Sequence, residues 1–123
     1  MRVVITGHPH SGKSTLAEAF GSIVKHTDDL IETHQWSEQS ETASYWLDIS
    51  VPYVLEGCAM PRALRKWKAR HPGAAPPMDV FIYLERPGDP TPQAKGIETV
   101  MRDLWPWLRE SGILILTNLV RSR

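Results

Sequence analysis

The sequence predicts an α/β fold, one domain over residues 1–123 with a five-stranded parallel sheet and helices on both faces. Three observations carry this. Short apolar runs with β-branched residues recur along the chain, and such near-continuous runs are the mark of strands buried on both sides. Segments with helix start and stop signals separate them, the alternation that builds a parallel sheet. A length of 123 residues supports one hydrophobic core and is too short for two.

The elements follow in order. Arg2-Val3-Val4-Ile5-Thr6 is the first strand, and good helix formers run from about Lys13 to Gly21. Ile23-Val24-Lys25-His26-Thr27 is a short second strand that ends at Asp28-Asp29. Ser37 is placed to cap a helix through about Leu47, with Trp36 as a hydrophobic staple. Tyr53-Val54-Leu55-Glu56 is the third strand, stopped by Gly57. Pro61 at a first helical position opens a basic helix to Arg70, which His71-Pro72-Gly73 ends. Val80–Leu84 is a buried fourth strand, and Arg86–Pro92 is too rich in proline to be regular. A long helix covers about Gln93 to Glu110 with a kink expected at Pro106, and Ile113–Leu116 is the fifth strand.

Fourteen acidic residues balance fourteen basic ones, so net charge excludes no class of partner. The distribution is uneven: residues 28–56 carry −7 with no Lys or Arg, whereas residues 57–78 carry +5. An acidic segment beside a basic one points to a polarised site. Cys58 is the only cysteine, which excludes an internal disulfide. No signal-peptide pattern and no run of membrane-spanning length occurs, so a cytoplasmic protein without membrane partners is expected.

Residues 7–14, Gly-His-Pro-His-Ser-Gly-Lys-Ser, match G-x-x-x-x-G-K-[ST] in full and lie between a strand and a helix. This is the phosphate-binding pattern of P-loop nucleotide enzymes. Gly7 and Gly12 permit backbone geometry that turns consecutive N–H groups toward one anion, and the helix start adds its positive end. Gly7, His8, Pro9, His10, Ser11, Gly12, Lys13, Ser14 and Thr15 are therefore the candidate ATP contacts. Lys13, expected to face solvent and phosphate, reaches the β- and γ-phosphates, and the Ser14 hydroxyl ligates Mg²⁺. His8 and His10 read as loop filler with access to phosphate, not as metal ligands. Because ligands of such sheets bind beyond the carboxyl ends of the strands, this loop, Asp28-Asp29 and Glu56-Gly57 should meet on one edge.

Switch GTPases are excluded by the lack of an Asn/Thr-Lys-x-Asp motif. Thr27-Asp28-Asp29-Leu30-Ile31-Glu32 resembles the segment after strand two of shikimate and gluconate kinases, and Leu55-Glu56-Gly57-Cys58-Ala59-Met60-Pro61-Arg62 is similar to the adenylate-kinase segment Asp-Gly-Phe-Pro-Arg with an insertion. With the phosphate loop, these segments resemble the adenylate-kinase-like and shikimate-kinase-like group of P-loop kinases. The resemblance covers the first half closely and the last third by strand order alone, without an arginine-rich lid of normal length. It implies the strand order 2-3-1-4-5. It also implies Asp28, or Asp29 beside it, as the carboxylate that accepts the acceptor's proton, and Glu56 as holder of a Mg²⁺-bound water. Arg62 becomes the grip on a substrate phosphate. Arg86, Lys95 and Arg102 flank the lid position, with Lys95 and Arg102 as candidate ATP contacts and Gly96 as a hinge.

The basic helix, with Arg62, Arg65, Lys66, Lys68 and Arg70, is either a solvated face or a track for a nucleic-acid strand, and Trp67 either packs in the core or stacks on a base. Trp105 and Trp107 read as packing. The pattern from Thr27 through the Lys95-Gly96 stretch also resembles compact phage-encoded kinases that phosphorylate 5-hydroxymethyluracil in DNA during thymidine hypermodification. The expected activity is an ATP- and Mg²⁺-dependent kinase acting on that hydroxymethyl group. The alternatives are a kinase of a free nucleotide, nucleoside or small hydroxy metabolite, and an ATP-binding module without transfer.

Overall fold

The computed structural model describes residues 1–20, 24–31, 33, 35–86 and 88–119. Strands β1 (Arg2–Gly7), β2 (Val24–His26), β3 (Tyr53–Glu56), β4 (Val80–Glu85) and β5 (Leu114–Leu119) form one all-parallel sheet in the order β2-β3-β1-β4-β5. The helices are α1 (Lys13–Ala19), α2 (Trp36–Trp46), α3 (Met60–Arg70) and α4 (Pro92–Glu110), with a 3-10 turn at Thr27–Leu30. The expected class and strand order are those observed.

Alternation along the strands divides the core. Val4, Tyr53, Leu55, Phe81 and Tyr83 face α2, α3 and α4, and Ala63, Leu64, Ile97, Met101 and Leu104 fill that layer. Val3, Ile5, Val54, Val80 and Ile82 turn the other way, toward Leu16 and Ala17 of α1. Among the described residues α1 is the only helix on this second face. Leu114 and Leu116 of β5, which pair with Val80 and Ile82, are accordingly about half exposed. The three expected tryptophan packings are present. Trp67 is buried and donates from its indole N–H to Asp48 at 2.7 Å, Trp105 meets Phe81 and Tyr83 edge-on, and Trp107 donates to the Ala74 carbonyl at 2.9 Å.

Several boundaries differ from the expected ones for physical reasons. Thr27 starts the 3-10 turn instead of extending β2. Gln35, not Ser37, is the N-cap of α2, and Glu38 reaches back to accept from the Gln35 N–H at 3.2 Å. Trp36 is thereby the first helical residue and not a staple before the helix. Helix α4 starts at Pro92, capped by the Thr91 hydroxyl accepting from Ala94 N–H at 3.2 Å, and runs unbroken through Pro106. Strand β5 continues to Leu119, because its ladder with β4 extends past the apolar run. The expected helix end at Gly21, the strand start at Ile23, and Glu32 and Pro87 lie outside the described residues.

Candidate functional site

The loop between β1 and α1 is shaped by two glycines. Gly7 has φ +141°, and a Cβ there would stand 1.9 Å from the Leu84 carbonyl oxygen, so only glycine lets β1 end against β4. Gly12 has φ +90° and is the N-cap of α1. Pro9 through Thr15 line a cavity of about 410 Å³ with Asp28, Ile31, Glu56, Cys58 and Gln93. The edge at which the strands were expected to converge is thus a real concavity, one that holds the glycine-rich loop and both acidic strand endings.

Lys13 is 7% exposed, against the expectation that it faces solvent. Its ammonium folds back over the loop and donates to the His8 carbonyl at 2.7 Å. The side chain still lines the cavity, and an ammonium has three donors, so the His8 carbonyl does not exhaust what it can offer an anion. Ser11 also lines the cavity, and its buried hydroxyl lacks a partner among the described residues. A buried orphan hydroxyl is costly, and an anion seated in the loop would relieve it.

Across from the loop, Glu56 is 1% exposed at the end of β3. Its Oε2 accepts from the Ser14 hydroxyl at 3.3 Å and lies 2.5 Å from His26 Nδ1. The other His26 nitrogen is 2.9 Å from Glu18. Burial lowers the His26 pKa, but the hydrogen bonds its ring donates to Glu56 and Glu18, with the charges of Glu56 and Asp29, outweigh it, and the net shift is upward. Sequence reasoning missed His26. Its signal was the strand order, since β2 beside β3 registers His26 directly opposite Glu56.

Gly57 joins these endings. Its φ is +147°, and a Cβ would lie 1.7 Å from the Thr27 hydroxyl, so β3 can approach the 3-10 turn only through a glycine. Both carboxylates of the turn are exposed, but Asp28 lines the cavity and Asp29 does not. Cys58, also in the lining, has its thiol pKa raised by burial in spite of the nearby Lys13 ammonium, so it is a neutral thiol.

Other expected contacts lie elsewhere. His8 is not loop filler open to phosphate: its ring is buried, Arg86 N–H donates to its Nδ1 at 2.8 Å, and its Nε2 sits 3.1 Å from Glu98, out of line for a hydrogen bond. It ties the loop to the segment entering α4. Lys95 and Arg102 are exposed and absent from the lining. At about 1.5 Å rise per residue, Arg102 stands roughly 13 Å along α4 from the cavity-lining Gln93. Gly96 is no hinge, since it lies inside α4; a Cβ there would stand 3.1 Å from an Arg62 nitrogen, so its bareness seats that guanidinium.

The basic helix is largely engaged with its neighbours. Lys66 donates to the Ser37 carbonyl at 2.8 Å and lies 3.6 Å from Glu41. Arg70 donates to the Ser44 hydroxyl at 2.8 Å and stacks 4.2 Å over the Tyr45 ring. Lys68 sits 5.5 Å over Trp107. These contacts bind α3 to α2 and α4.

A scan against protein-family models finds no match, and a search of curated proteins finds none either. No helix among the described residues is long and apolar enough to cross a membrane. Fold and site together define a single small α/β domain with a polar cavity at the carboxyl edge of a parallel sheet.

Proposed function

We propose that this chain is an ATP- and Mg²⁺-dependent kinase that transfers a γ-phosphoryl group to a hydroxyl. The observation that carries the reading is one cavity lined by Pro9, His10, Ser11, Gly12, Lys13 and Ser14 of the glycine-rich loop together with Asp28 and Glu56. The loop's N–H groups and the start of α1 bind the triphosphate, and Lys13 swings from the His8 carbonyl to the β- and γ-phosphates. Ser14 and Glu56, already adjacent, offer the hard oxygen donors that suit Mg²⁺. Held there, Mg²⁺ would supply positive charge to offset that of the phosphates during transfer. Asp28 orients the acceptor hydroxyl. As its oxygen bonds to the γ-phosphorus and the bond to the β-phosphate oxygen breaks, ADP leaves and the proton passes to the Asp28 carboxylate.

The resemblance to compact phage kinases supports the hydroxymethyl group of 5-hydroxymethyluracil in DNA as the acceptor. A free nucleotide, nucleoside or small hydroxy metabolite is favoured by the engagement of Lys66, Lys68 and Arg70 with α2 and α4, which leaves little of α3 to track a strand. A cytoplasmic setting, with ATP at hand and Cys58 kept reduced, suits either acceptor. The test is transfer of labelled γ-phosphate from ATP to hydroxymethyluracil-containing DNA, plain DNA, nucleotides and shikimate-like acids in parallel. Label is expected on a hydroxyl acceptor and absent with Lys13→Ala. ATP binding with no transfer to any acceptor would make the chain a binding module.

A further inference from the structure

A second concavity adjoins the phosphate cavity. It measures about 390 Å³ and is lined by Trp36, Arg62, Pro92 and Gln93, and Gln93 is common to both. The size suits a small organic ligand. Trp36 opens α2 and is 40% exposed, so part of its ring is open to a ligand. Arg62 lies 5.1 Å from the centre of that ring, and a Cβ at Gly96 would stand 3.1 Å from one of its guanidinium nitrogens. No described carboxylate pairs with it. By contrast, Lys66 and Arg70 one to two turns later both face Glu41. Burial, and then the neighbouring Arg65, lower the Arg62 pKa, as expected of a cation that lacks its counterion.

The chemistry of the lining is specific. Trp36 and Pro92 are flat apolar surfaces, which suit a planar ring. A guanidinium offers a two-pronged donor for phosphate. The Gln93 amide has both donor and acceptor, which suits the alternating edge of a pyrimidine base. A small hydroxy acid would use the cation and leave the flat surfaces unused.

We infer that this cleft takes the acceptor as a nucleotide unit, with its base against Trp36, its phosphate on Arg62 and its base edge at Gln93, so that a hydroxyl on the unit is offered to Asp28 in the adjoining cavity. This rests on the kinase reading for its purpose, but binding is measurable without it. A free nucleotide and a nucleotide within a strand present the same chemistry.

The test is calorimetric titration without ATP, using dUMP, deoxyribose 5-phosphate and a short oligonucleotide containing one uracil. The parent protein should bind dUMP more tightly than deoxyribose 5-phosphate. Trp36→Ala should weaken dUMP binding about tenfold, in the range of base-on-aromatic stacking, without changing deoxyribose 5-phosphate binding. Trp36→Phe should restore most of the loss, and Arg62→Gln should weaken both ligands. Unchanged ATP binding in each variant shows that the fold is retained. Equal binding of the two small ligands by the parent, or equal loss of both in Trp36→Ala, overturns the proposal. A tighter oligonucleotide identifies the strand as the source, and a tighter dUMP the free nucleotide; each supports the cleft if the Trp36 dependence holds. Lys13→Ala should bind dUMP like the parent. If dUMP behaves as expected while no acceptor is ever labelled, the kinase reading fails and the site stands. If hydroxy acids are labelled while dUMP is not bound, the reverse holds.

Discussion

Replacing Gly57 by alanine tests whether the convergence of β2 and β3 makes the site. The added Cβ would stand 1.7 Å from the Thr27 hydroxyl, 2.8 Å from its Cβ and 3.1 Å from its Cγ2. Neither side can retreat easily. Gly57 is fixed by its N–H to the Ile5 carbonyl at 3.1 Å and by the Thr6 hydroxyl on its own carbonyl at 2.8 Å, and Thr27 is 1% exposed. Backbone strain at φ +147° costs about 1–3 kcal/mol. Forcing Thr27 aside in a packed site adds about 1–3 kcal/mol. For a domain of this size a loss in that range lowers Tm by on the order of 10 °C or more. Urea unfolding of the single variants and of Gly57→Ala with Thr27→Ala separates the two costs. Without the Thr27 hydroxyl the nearest contact is gone, so Gly57→Ala should cost at least about 1 kcal/mol less, leaving the backbone strain and the 2.8 Å approach to the Cβ of residue 27. If the two substitutions are simply additive, or if Gly57→Ala alone costs less than about 1 kcal/mol, the steric argument is wrong.

Asp28→Asn should lower single-turnover transfer roughly 10²–10⁴-fold with little change in ATP affinity, and Asp29→Asn should stay near the parent, because only Asp28 lines the cavity; a large loss in Asp29→Asn alone would reassign the base. The Tyr53 hydroxyl donates to the Leu47 carbonyl at 3.1 Å, and burial pushes its pKa up from 10.0 to about 12, with Arg2 opposing and Asp79 and Asp48 assisting. The unfolded chain therefore loses this proton first. The stabilisation is full below about pH 10 and is lost as pH rises through about 12, on the order of 2–3 kcal/mol in all. Alkaline unfolding of Tyr53→Phe should show a flatter fall across that window, and an unchanged profile would contradict the assignment. Substituting Lys66 and Lys68 by alanine should cost up to about 1 kcal/mol of stability through lost contacts with α2 and Trp107. It should leave the salt dependence of DNA binding unchanged; a slope reduced by roughly one unit per lysine would return the helix to the nucleic-acid reading.

Much of this was legible locally. Strand β3 runs from Tyr53 to Glu56 as its four residues and the following glycine require, and Pro61 lies in the first turn of α3, one residue after the start at Met60 and not at the expected first position. What was not legible depends on partners distant in sequence. His26 is unremarkable until β2 lies beside β3 and Glu56, 30 residues on, becomes its neighbour. Gly96 looks like a hinge in the sequence, and only the packing of α3 on α4 shows that it makes room for Arg62. The burial of Lys13 follows from a loop short enough for its own carbonyl to capture the ammonium.

The charge pattern changes meaning once the chain is folded. An acidic stretch followed by a basic one suggested a polarised surface, but α2 and α3 pack against each other, and Lys66 and Arg70 face Glu41 across that contact. That part of the segregated charge is spent within the helical layer, where partly exposed pairs contribute little each and mainly fix how α2 lies on α3. Asp28 and Arg62 stand outside this pairing, at the carboxyl edge of the sheet. Asp28 lines the phosphate cavity, Arg62 lines the cleft beside it, and Gln93 stands between them. On the proposed reading, a substrate with a hydroxyl and an anionic group would supply the partners that this carboxylate and this guanidinium lack.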